Sequence, residues 1–133
     1  MKVGKEDIAA LIAALELFLS QDEEEQIEEY KRRADCIVRA LVGIEGIEAQ
    51  TLVADPRGRP VIPRVYIDLK ETCAMTGQET RERMLEGELP VAIGQTPTGV
   101  RVDVMMLEEW QVRAVARKLR KVLSAARGQK LDR

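Results

Sequence analysis

The residue order predicts an α+β domain: a two-layer sandwich in which a small, mainly antiparallel sheet of about four strands carries its helices on one face. Three observations lead there. Apolar residues recur at helical spacing near both ends of the chain, and alternating apolar and polar residues occupy two regions between them. Each alternating region is broken by a short turn sequence. The resulting order is helix, helix, strand, strand, helix, strand, strand, helix, and 133 residues supply a single core around it.

Ile8, Leu11, Ile12, Leu15 and Leu19 share one helical face, which predicts a first helix from about Lys5 to Leu19. Its apolar stretch has the length of a signal-peptide core, but Glu16 interrupts it and Glu6 and Asp7 stand where positive charge is expected. It is too short to span a bilayer. Ser20 and Glu23 have the spacing of a capping box, predicting a second helix from about Gln21 to Leu41, with Ile27, Tyr30, Ala34, Ile37 and Leu41 on one face and Gly43 near its end. The acidic run Asp22, Glu23, Glu24, Glu25, Glu28 and Glu29 falls in the first turns, where the helix dipole and solvent account for it better than a cation does.

The segment "IEAQTLVADPRGRPVIPRVYIDL" predicts two strands joined by a type I turn at Asp55-Pro56-Arg57-Gly58. Pro60 and Pro63 confine the start of the second strand to an edge or a bulge, because neither donates to a ladder. Thr76 and Glu79 form a second capping box, opening a short helix that ends at Gly87. "LPVAIGQTPTGVRVDVMML" predicts strand, turn at Thr96-Pro97-Thr98-Gly99, and strand. A last helix carries Val112, Val115, Leu119 and Val122 on one stripe, with Trp110 near its start as a core or interface anchor. With the alternating valines and isoleucines turned to the helices, Arg64, Tyr66, Asp68, Arg101 and Asp103 project from the opposite face, where a partner or an anion would go.

The chain has no histidine and two cysteines, Cys36 and Cys73, widely separated. A zinc site is not expected, and the thiols read as small buried hydrophobes in a reducing cytoplasm. No glycine-rich phosphate loop, nucleophile elbow or paired metal ligands occur. A formal net charge of -2 demands neither nucleic acid nor membrane.

"MKVGKEDIAALIAALELFL", the acidic helix start after it and "YKRRADCIVRALVGIEGIE" resemble the segment that follows the cofactor domain in pyridoxal-phosphate enzymes of the selenocysteine-synthase-like group. That group includes L-seryl-tRNA selenium transferase and D-glucosaminate-6-phosphate ammonia-lyase-like proteins. The resemblance is strongest over the first forty or so residues and afterwards lies in the element order, which suits the small C-terminal domain of the aspartate-aminotransferase fold. It implies a fragment or split subunit of a lyase or transferase, with Met1 at an internal position of the longer pattern. It also implies a missing large domain, which would carry the Schiff-base lysine, the aspartate on the pyridine nitrogen and the phosphate cup. The chain would then bind no pyridoxal phosphate by itself, be inactive alone, and have that large domain or subunit as its partner.

By the same resemblance Lys2 matches a basic position near the substrate anion, and Arg101, in "TGVRVDVMML", matches the stretch where an arginine grips the substrate carboxylate. Arg64 is a weaker candidate on the same predicted face. Read without the resemblance, Lys2 is a terminal lysine and Arg101 an exposed strand arginine paired with Asp103 or Asp68. The exposed apolar face of the first helix, with Phe18 beside it, is expected to meet the large domain or drive self-association. Two other functions compete. One is a stand-alone α+β interaction or small-molecule-binding module using the polar sheet face. The other is RNA binding through Arg113, Arg117, Arg120 and Lys121, with Arg127, Lys130 and Arg133 beyond them, although the chain has few aromatics for stacking and no stacking motif.

Overall fold

A computed structural model of the protein describes residues 3–125. It contains the helices α1 (Lys5–Ser20), α2 (Glu23–Ala40), α3 (Gly77–Leu85) and α4 (Glu109–Ala125), and the strands β1 (Ile47–Ala54), β2 (Pro60–Leu69), β3 (Gly94–Gln95) and β4 (Gly99–Asp103). The strands form one antiparallel sheet in the order β1-β2-β4-β3. The expected α+β architecture is therefore present, with four strands.

The core lies between one face of the sheet and the α2–α4 layer. Val65 stands opposite Val102 and Ile67 opposite Val100 in the β2–β4 ladder. These four side chains are buried together with Ala34, Ile37 and Leu41 of α2 and Val112, Val115, Leu119 and Leu123 of α4. Met84 of α3 closes the same cluster at the β3 side. Thr80 is the one buried polar residue among those described, and its hydroxyl is satisfied by the Thr76 carbonyl 2.8 Å away.

Both turns form as their residue types demand. The Gly58 amide donates to the Asp55 carbonyl, Gly58 takes a φ of 77°, and the Asp55 amide returns to the Arg59 carbonyl, a three-residue hairpin with a glycine in the left-handed region. Thr96 and Gly99 exchange backbone hydrogen bonds across Pro97-Thr98. Pro60 lies at the register shift of the β1–β2 ladder, and the β4 ladder begins only at Arg64, so the prolines interrupt no paired donor. The Thr76–Glu79 capping box is present at α3.

Three expectations are corrected. Ser20 does not cap α2: it ends α1 with its hydroxyl on the Leu17 carbonyl, and Asp22 caps α2 by accepting from the Glu24 and Glu25 amides. A carboxylate beside the first turn is the stronger acceptor for free amides. The strand expected over "LPVAIG" reduces to Gly94–Gln95, because Pro90 has no donor and the Val91 amide is taken by the Met84 carbonyl at 2.8 Å. Of the two places expected for Trp110, the core is ruled out: the residue is 58% exposed, with its indole N–H on the Glu108 carboxylate, which leaves the interface alternative.

Helix α1 buries none of its residues. Ile8, Leu11, Ile12, Leu15, Leu17, Phe18 and Leu19 are all exposed.

Candidate functional site

The sheet face turned away from α2 and α4 is the candidate site. Strand alternation puts Val65, Ile67, Val100 and Val102 in the core, so the residues between them point to the other side. The ladder register places Arg64 opposite Asp103, Tyr66 opposite Arg101, and Asp68 opposite Gly99. On the outer side β1 adds Gln50 opposite Tyr66 and Glu48 opposite Asp68, and on the other β3 adds Gly94 opposite Arg101. All five residues expected on the polar face are there.

Two guanidinium groups converge on one carboxylate. Arg64 Nε lies 2.7 Å from Asp103 Oδ1, and Arg101 Nε lies 3.4 Å from Asp103 Oδ2. The second contact has the distance of an ion pair without the alignment of a hydrogen bond, so the Arg101 Nε–H is buried and unpartnered. The expected pairing of Arg101 with Asp103 is thus present but incomplete. Asp68 is occupied elsewhere, accepting from the Thr98 hydroxyl. The Arg101 guanidinium lies against Gly94, where a Cβ would come within 3.3 Å of Nε and 3.4 Å of Nη2. A side chain at 94 would press on the guanidinium, which would have to give by a few tenths of an ångström.

Side-chain exposures of 41% for Arg64, 35% for Arg101 and 49% for Asp103 keep these ion pairs in contact with solvent. They hold the side chains in place without contributing much stability. A cleft of about 140 Å³ adjoins them at the end of β2 and β4, lined by Arg64 and Asp103 on its polar side and by Ile62, Pro63, Met105 and Met106 on its apolar side. Arg81, on α3, donates from Nε to the Ile93 carbonyl at 3.2 Å and so anchors the backbone just ahead of Gly94. Gly94 and Arg81 escaped the sequence reading: neither lies in a motif, and only cross-strand register brings Gly94 under Arg101.

Lys2 lies outside the described residues, as do Arg127, Lys130 and Arg133. The cations of α4 are mostly engaged. Arg120 donates to the Ala40 and Val42 carbonyls at 2.5 and 3.2 Å, Lys118 to the Glu86 and Leu89 carbonyls at 2.6 and 2.5 Å, and Arg113 pairs with Glu109. Arg120 and Lys118 close the ends of α2 and α3, which leaves Arg117 and Lys121 as the remaining cations, among the described residues, of the group expected to meet RNA. Other charges are paired as well. Glu29 of α2 accepts from Arg32 and Arg33, which hold its carboxyl down to about 2, and it stands beside an open groove whose other charges belong largely to the same helix. Cys36 and Cys73 are half-buried free thiols.

No group of three or more acidic or cysteine ligands able to hold a metal occurs among the described residues, and no described helix is long and apolar enough to cross a membrane.

No protein-family model matches the chain, and no curated protein matches it significantly in sequence. Among solved structures it is similar to D-glucosaminate-6-phosphate ammonia-lyase, with a TM-score of 0.69 and 21% identity over 96% of this chain and 34% of that one. At this identity the likeness is one of fold, and the chain spans about a third of that enzyme's length.

Proposed function

We propose that this chain is the small C-terminal domain, as a fragment or split subunit, of a pyridoxal-phosphate-dependent lyase or transferase of the selenocysteine-synthase-like group, working in the cytoplasm. The observation that carries the reading is the coverage: nearly the whole chain superposes on one third of an ammonia-lyase. The bare apolar face of α1 agrees with it, since a helix separated from a partner domain is left with such a face.

The described residues do not fit pyridoxal phosphate by themselves. Lys5, Lys31, Lys70 and Lys121 are exposed, and the half-buried Lys118 is bound to two carbonyls, so none stands in the apolar pocket a Schiff-base lysine needs. The cofactor would be held by the large domain. What this chain would add is the polar sheet face, where Arg101, with Arg64 beside it, grips a substrate carboxylate. A guanidinium suits that task through its planar fork of donors. Lys2 would stand near the same anion by its place in the resembling pattern.

The test is to purify the protein from its native source and determine intact mass, bound chains and cofactor absorbance. The reading expects these peptides in a larger species, or a 14.9 kDa chain held to a large cofactor-bearing partner. A 14.9 kDa species that copurifies with no such partner overturns it. The convergence of two arginines on an open face would then favour a stand-alone module binding small anions.

A further inference from the structure

Arg64 and Arg101 bring two positive charges to the open sheet face and share a single negative one. Asp103 is the carboxylate both of them touch, at 2.7 Å and 3.4 Å, and the buried Nε–H of Arg101 has no hydrogen-bond partner. The cluster is therefore left with one excess positive charge and one unmet donor. Gly94 of β3 lies against the Arg101 guanidinium, with no side chain at that position to crowd it. Asp103 is the last residue of β4, half-exposed, and it lines the neighbouring cleft of about 140 Å³, so its side chain has room to move.

We propose that Asp103 stands in the place of a ligand carboxylate: it holds Arg64 and Arg101 apart from solvent anions until a small carboxylate displaces it, making Asp103 the residue that sets the affinity and selectivity of this site. The inference rests on the anion-binding reading of this face. A carboxylate is the ligand class because a carboxylate already sits between the two forks, and the planar match of guanidinium to carboxylate lets the ligand make the aligned bonds that Asp103, tied to its own strand, does not. Asp103 acts as an internal competitor, so removing its charge strengthens binding.

The experiment uses the complete ¹⁵N-labelled chain and follows the arginine Nε–H signals during titration with sodium acetate, against sodium chloride at equal ionic strength. Asp103→Asn is expected to bind acetate roughly two- to fivefold more tightly than the wild type, the factor that an exposed ion pair is worth. Asp68→Asn removes the same charge from the same face without touching either arginine, and it is expected to leave the affinity within about twofold of the wild type. No gain in Asp103→Asn, or an equal gain in Asp68→Asn, overturns the proposal. Failure of the underlying reading looks different: acetate would then move neither arginine signal beyond the chloride control in the wild type or in Asp103→Asn.

Discussion

Gly99 shows how one residue holds both the turn and the sheet. A Cβ there would run into the Ile67 carbonyl, and a Cβ on Gly77 would meet the Gly99 carbonyl at 2.5 Å, so β2, β4 and α3 approach one another through two glycines. Gly99→Ala is expected to destabilise the protein by about 1–3 kcal/mol in urea unfolding, through overpacking against backbone that cannot retreat. Glu29 gives a pH signature at the same scale. Its hydrogen bond with Arg32, and then that with Arg33, lowers its carboxyl from 4.5 to about 2. A depressed folded value means that the stabilisation is complete above the unfolded value of 4.5 and is lost as pH falls toward 2. Glu29 is partly solvated, so the loss should stay below about 1 kcal/mol. Thermal unfolding of Glu29→Gln should therefore fall less steeply over that window than the wild type, and parallel curves would contradict the assignment.

The elements differ in how much of their position comes from their own residues. Helix α2 has its N-terminal cap within itself, but its C-terminal carbonyls are closed by Arg120 of α4. Arg120→Ala should cost about 1 kcal/mol in chemical unfolding, whereas Arg117→Ala, on an exposed face with no such contact, should change stability by less than about 0.5 kcal/mol. Equal costs would mean that the Arg120 bonds do not hold in solution. Helix α1 is the opposite case. Because it buries nothing, deleting residues 1–20 should leave the cooperative unfolding transition of the rest within about 1 kcal/mol, as followed by circular dichroism.

For the whole molecule, the layout is a covered core face, an open polar face and a bare helix leading into both. If the α1 face meets apolar surface in solution, the isolated chain should self-associate with rising concentration in sedimentation equilibrium, and Leu11→Glu with Leu15→Glu should return it to monomer. A wild-type chain that stays monomeric across the concentration range would remove α1 as an association surface.

Much of this was legible in the residue order, because the signals are local. Helical spacing marked α1, α2 and α4, the Thr76–Glu79 pair marked the start of α3, and the proline and glycine turns marked both hairpins. Alternation along β2 and β4 assigned Arg64, Tyr66, Asp68, Arg101 and Asp103 to one face, since the side-chain period of a strand is two whatever it pairs with. Competition between neighbouring groups was not legible: Asp22 displaced Ser20 as the cap, and Val91 gave its amide to Met84 instead of a strand. Nor was register, which alone sets Gly94 beneath Arg101 and brings Arg64 across to Asp103, which Arg101 reaches along its own strand. Periodicity is written into consecutive residues by backbone geometry, whereas the meeting of two arginines, one aspartate and one glycine depends on strands far apart in the chain being brought side by side. Only packing of the core selects that alignment.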